Sequence, residues 1–176
     1  MDLKARLRII EGDITALAID AIVNAANSAL MPGGGVDGAI RRKAGPKLNE
    51  DLYGIGRCAP GQAVITRGYR LPARYVIHTV APIWRLPTSE RDEQQQAVLA
   101  SCYDSALGLA DQYRIGSIAF PAIGTGAYGW PSEIAANIAF GRVTAHLSAC
   151  SIQDCITFCC FAPADLRIYT TLADQL

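Results

Sequence analysis

Short apolar runs, each bounded by glycine, proline, asparagine or aspartate, alternate along the chain with stretches of helical periodicity, and this alternation constrains the fold more than any other feature. Strands are predicted at about 6–10, 20–24, 62–67, 74–80, 115–121 and 155–161. Residues 90–113 place Val98, Cys102, Ala106, Leu109 and Tyr113 on one helical face, and 131–147 open on Pro131 and carry Ile134, Ile138, Val143 and Leu147. Shorter helices are expected at 36–44, 46–53 and 164–173, and a loop at 82–89. Ala21-Ile22-Val23 and Ser117-Ile118-Ala119-Phe120 have consecutive apolar or small residues, which suits a sheet covered on both faces. The fold class that follows is α/β: a three-layer α/β/α domain with a central mixed, mostly parallel sheet of about six strands. Its ligands belong at the carboxyl ends of those strands. No linker, repeat or low-complexity segment divides residues 1–176, so one domain is expected.

Composition narrows the function. The 16 Lys and Arg balance 16 Asp and Glu, so no overall field draws the chain to nucleic acid or an acidic membrane, and an anionic ligand must be held locally. No apolar run approaches the ~18 residues of a membrane span, and Met1-Asp2-Leu3-Lys4-Ala5-Arg6 mixes charge with apolar residues; a cytoplasmic location is expected. Six cysteines lack paired spacing, and Cys155, Cys159 and Cys160 with two histidines make a poor metal set; neither a disulfide framework nor a bound metal is expected.

Four clusters lie just past apolar strands, where such a fold puts its binding loops. Gly12-Asp13-Ile14-Thr15 alone reads as a turn or helix cap. Asn24-Ala25-Ala26-Asn27 runs on into Gly33-Gly34-Gly35-Val36-Asp37-Gly38 before a helix. Three glycines clear the approach to backbone N–H groups there, and the helix N-terminus favours an anion. Gly124-Thr125-Gly126-Ala127-Tyr128-Gly129 matches G-x-G-x-x-G, but the next strand ends in Cys159-Cys160-Phe161-Ala162 without the acid a dinucleotide fold requires. What survives is a second phosphate-facing loop. Phe161 is ordinarily a core residue at such a point, yet at a strand mouth it could stack on a base.

Taken together and in order, Gly12-Asp13-Ile14-Thr15, Val23-Asn24-Ala25-Ala26-Asn27, Gly33 to Ile40, His78-Thr79-Val80 and Gly126-Ala127-Tyr128-Gly129 closely resemble the macrodomain family. The resemblance is to the MacroD-type ADP-ribosyl hydrolases, which include O-acetyl-ADP-ribose deacetylases. It implies that Asp13 takes the adenine amino group, Ile14 makes a backbone contact and Phe161 stacks on the ring. Gly34, Gly35 and Val36 would cradle the diphosphate with Thr125, Gly126, Ala127 and Tyr128. Asn24 is expected among the substrate-binding residues, and Asn27 and Asp37 would face the distal ribose as the catalytic pair. The chain departs from the family pattern at Gly124, expected to loosen the second phosphate loop, at Pro60, and at Ala162-Pro163, which replace an acidic pair near the adenosine ribose.

No histidine falls in these clusters: His78 reads as a satisfied core residue, and no base is placed to activate a Cys or Ser. The expected chemistry is hydrolysis of the acyl ester on the distal ribose of O-acetyl-ADP-ribose, and of proteins mono-ADP-ribosylated on Asp or Glu. Asp37 would position a water, Asn27 would orient the ribose, and no cofactor would be needed. The rival is a module that binds ADP-ribose without cleaving it, to which a carboxylate at the distal ribose would be superfluous.

Overall fold

The computed structural model describes residues 3–86, 89–149 and 152–176. Its strands are β1 (Leu7–Glu11), β2 (Ala21–Ala25), β3 (Ala63–Arg67), β4 (Tyr75–Thr79), β5 (Ser117–Phe120) and β6 (Cys155–Cys160). They form one sheet in the order β1-β6-β5-β2-β4-β3, parallel throughout except for the antiparallel β3–β4 edge. The helices are α1 (Leu3–Arg6), α2 (Gly35–Ala44), α3 (Pro46–Ile55), α4 (Ser89–Gln112), α5 (Ser132–Ala149) and α6 (Pro163–Asp174). The expected α/β class with a mixed, mostly parallel sheet is what the chain adopts.

Consecutive apolar positions are explained by burial on both faces. Ala21 and Val23 of β2 pack into the cluster built on α4 and α5, while Ile22 between them packs with Ile40, Leu48 and Leu52 of α2 and α3. The same alternation splits Ile118 and Phe120 from Ala119, and Phe158 and Cys160 from Cys159. Each such Ile or Phe, removed from water, contributes about 1.5–3 kcal/mol before chain entropy is set against it.

The helical faces differ from the expected stripes. In α4 the fully buried residues include Leu99, Cys102, Tyr103, Ala106, Leu107 and Ala110, whereas Tyr113 is 45% exposed and meets the Tyr75 ring edge-on at 5.9 Å. This helix touches both the sheet and α5, so its buried face is wider than one stripe. In α5, Ala135, Ala136, Ala139 and Phe140 are buried with Val143 and Leu147, because α5 lies between α4 and α6 and its alanines permit close approach. The short α1 and a 3-10 turn at Ile14–Ala16 add to the expected elements. Arg6 of α1 is buried, its guanidinium donating to the carbonyls of Leu147 and Gln153 at 2.6 to 2.9 Å. Of the expected loop at 82–89, positions 87 and 88 lie outside the described residues.

Candidate active site

The parallel strands β1, β2, β5 and β6 all end at one cleft of about 880 Å³, a volume suited to a ligand of nucleotide size. Gly12 and Asp13 follow β1, Asn27 follows β2, Pro121 to Tyr128 follow β5, and Phe161 follows β6. Convergence of these loops is therefore a consequence of strand order.

At one end, Asp13 caps the 3-10 turn. Its Oδ1 accepts from the Thr15 hydroxyl at 2.6 Å and the Thr15 amide at 2.9 Å. These two bonds hold its carboxyl below the usual carboxylate range, so it stands at the cleft as an anionic acceptor. Capping and ligand contact are compatible, since Oδ2 is not used by the cap. Ile14 is buried beside it, while Phe161 is 86% exposed on the cleft wall and takes no part in the core. Cys159 lies beneath, its thiol pushed up to about 11 by burial and donating to the Gly12 carbonyl at 3.5 Å.

The two glycine loops line the middle of the cleft. Gly34 caps α2, and a β-carbon on Gly34 or Gly35 would meet nothing within 4 Å, because it would project into the open cavity. Gly38 is fixed for a different reason: a β-carbon there would lie 2.9 Å from the Gly33 carbonyl. The second loop is closed by Gly129 N–H on Gly126 O and Trp130 N–H on Gly124 O, both at 3.0 Å, and pinned by Trp130 Nε1–H on Pro82 O at 2.7 Å. Gly124 has a φ of +86° and leaves room for the Trp130 ring, which would stand 2.7 Å from any β-carbon. The expectation that glycine loosens this loop is thus corrected: Gly124 admits the indole that holds it.

At the far end Asp37 is buried with its carboxylate shared among three donors. Oδ1 accepts from Asn24 Nδ2 at 2.7 Å, and Oδ2 from Gly33 N–H at 2.7 Å and Arg41 Nε at 2.8 Å. Asn27 is half-buried on the same cleft wall. Its amide makes a closed ring with Met31, Nδ2 donating to the carbonyl at 2.7 Å and Oδ1 accepting from the N–H at 3.1 Å. Each end of that amide keeps one further bond for a ligand. Asn24, expected to bind substrate, instead has no exposed surface and does not line the cleft. As the penultimate residue of β2 it points into the domain, where it orients Asp37.

Behind Asn24 the second Nδ2 hydrogen reaches His78 Nδ1 at 3.0 Å, which leaves His78 Nε2–H for Thr66 Oγ1 at 2.9 Å. Burial holds His78 down at about 3, so it is a neutral core residue as expected. Burial also raises the thiols of Cys58, Cys102 and Cys160, which keeps them protonated. Among the described residues no group of three or more His, Cys, Asp or Glu could hold a metal ion.

Sequence reasoning missed Arg41. Its guanidinium also donates to Asn49 Oδ1 at 2.5 Å and to the carbonyls of Leu30 at 2.9 Å and Met31 at 3.3 Å. Both catalytic candidates therefore hang on one side chain, Asp37 directly and Asn27 through the Met31 carbonyl. The four-residue spacing of Asp37 and Arg41 on a helix was the available signal, masked because Arg41-Arg42-Lys43 reads as ordinary charge at a helix C-terminus.

Residues 23–139 match the Macro domain family model. An O-acetyl-ADP-ribose deacetylase of Escherichia fergusonii is 47% identical over 98% of both chains. The ADP-ribose glycohydrolase MACROD2 of Xenopus laevis is 51% identical over 90% of this chain and 38% of its own, longer one. Among solved structures, the Oceanobacillus iheyensis macrodomain with ADP superposes with a TM-score of 0.90 at 36% identity, covering 100% of this chain and 96% of that one. The Trypanosoma brucei macrodomain in complex with ADP-ribose does so at 0.88 and 38%, covering 95% and 68%. With its mostly parallel sheet, its cleft at the strand ends and these relatives, the chain belongs to the macrodomain family.

Proposed function

We propose that this protein binds ADP-ribose and hydrolyses the acyl ester on its distal ribose. The substrates are O-acetyl-ADP-ribose and proteins mono-ADP-ribosylated on Asp or Glu, acted on in the cytoplasm without a cofactor. The names of the relatives and the ligands of the solved neighbours support the ligand class. The observation that carries the assignment is a buried carboxylate, Asp37, fixed by three donors on the cleft wall beside Asn27.

In this scheme adenine lies between Asp13 and Phe161, the diphosphate between the glycine loops, and the distal ribose against Asn27. Asp37 Oδ1 has one lone pair left after Asn24 and uses it to orient a water. The water oxygen bonds to the acyl carbonyl carbon, the ester C–O bond breaks, and the ribose oxygen leaves with the water's proton. Orientation and assisted proton transfer together accelerate such a step by about 10² to 10⁴ or more.

A reader without catalysis is the second possibility, and one observation favours it: Asp37 is already ion-paired with Arg41 at 2.8 Å. Turnover of O-acetyl-ADP-ribose decides between them. The wild type should release acetate, and Asp37→Ala and Asp37→Asn should do so at least about tenfold more slowly while calorimetry shows ADP-ribose still bound. A wild type that binds but releases nothing would establish the reader.

A further inference from the structure

The glycine loops offer a diphosphate neutral backbone donors, and one cation lines the cleft among the described residues: Arg42. Its side chain is exposed and makes no hydrogen bond or ion pair among those residues. It curls back along α2 toward Gly38. Its Nη1 stands 3.2 Å from the point a β-carbon on Gly38 would occupy, and the Gly33 carbonyl lies 2.9 Å from that same point. On the other flank of Gly33, a β-carbon would be 3.3 Å from Asp37 Oδ2 and 3.7 Å from Asn27 Nδ2. The guanidinium thus reaches the Gly33 loop, whose other flank faces the two groups proposed to hold the distal ribose.

We propose that Arg42 receives an acidic segment of the modified polypeptide, the Asp or Glu side chains flanking the ADP-ribosylated residue. This rests on the proposed activity toward modified proteins and gives that site a preference among them. A planar guanidinium matches a carboxylate through two parallel hydrogen bonds. A nucleic-acid strand is held by many cations along its backbone, whereas here 16 basic residues balance 16 acidic ones and the cleft offers one.

The test titrates wild type, Arg42→Ala, Arg42→Lys and Arg42→Glu at low salt with free ADP-ribose and with three conjugates that carry ADP-ribose on an uncleavable linker. The conjugates are an acidic peptide, the same peptide with Gln for its acidic residues, and an oligonucleotide. Each variant's affinity for the acidic conjugate is scored relative to its own affinity for free ADP-ribose and for the Gln peptide, because Arg42 lines the cleft that takes the anionic nucleotide. The acidic conjugate should weaken about 3- to 5-fold with Arg42→Ala and about tenfold or more with Arg42→Glu, recover most of its affinity with Arg42→Lys, and lose the difference at high salt. Equal affinity of all variants for the acidic conjugate overturns the proposal, as does an equal loss for free ADP-ribose or a larger dependence with the oligonucleotide. Failure of the wild type to bind ADP-ribose would instead sink the proposed function. Every readout is an affinity for an uncleavable ligand, so the comparison holds whether or not the protein hydrolyses its substrate.

Discussion

Arg41 is the residue whose removal should most disturb this site. Asp37 and Arg41 retain only 5% and 6% side-chain exposure, so Arg41→Ala leaves a carboxylate buried without its counter-charge and frees two loop carbonyls and Asn49. Breaking one partner of such a pair costs about 3–5 kcal/mol, which for a domain of this size lowers the melting temperature by roughly 10 °C. The penalty comes chiefly from the stranded charge, so Arg41→Met combined with Asp37→Asn should be less destabilised than the two single changes summed. A coupling of about 1–3 kcal/mol is expected. Guanidinium denaturation at pH 7 of the wild type, Arg41→Ala, Arg41→Met, Asp37→Asn and the Arg41→Met, Asp37→Asn double variant measures both the loss and the cycle. A loss below about 1 kcal/mol for Arg41→Ala, or additivity within about 0.5 kcal/mol, would show that Asp37 does not depend on Arg41.

Three further outcomes follow from the same geometry. His78 has its folded-state value lowered to about 3 from an ordinary 6.5, so the unfolded chain binds the extra proton between those limits: stability is full above pH 6.5 and falls with pH below it. Between pH 6.5 and 4.5 denaturation free energies should drop by up to about 1.4 kcal/mol per unit, and His78→Gln should flatten that slope. Gly124→Ser must adopt a φ of +86° and displace the Trp130 ring, so it should cost roughly 2–4 kcal/mol and weaken ADP-ribose binding; a neutral result by thermal melting and calorimetry would refute that packing. Phe161→Ala touches no core residue, so it should leave stability within about 0.5 kcal/mol yet weaken ADP-ribose by about 1–3 kcal/mol in a titration, and unchanged affinity would remove the ring from the adenine site.

How much of this was legible in the sequence depended on whether a property is local. Strands and turns are local, so all six strands and the glycine loops could be read from β-branched runs and their terminators. The mostly parallel sheet then placed those loops together. Side-chain direction within an element depends on neighbours that the sequence does not order. Asn24 and Asn27 are three residues apart in one motif, yet the first belongs to a central strand and is fully buried, while the second has left the strand and reaches the cleft. Gly124 and Trp130 carry the same lesson: a glycine that looks permissive alone is required by an indole six residues on. The buried face of α4 exceeds the predicted stripe because a helix packed against both sheet and helix buries more than one line of residues.

The most direct measurement is a crystal structure with ADP-ribose bound. The distal ribose should lie within hydrogen-bond reach of the Asn27 amide, with an ordered water joining Asp37 Oδ1 to the ribose and the adenine stacked on Phe161. A nucleotide bound in the reverse sense, or a ribose that neither Asn27 nor a water on Asp37 touches, would contradict the assignment of these two residues.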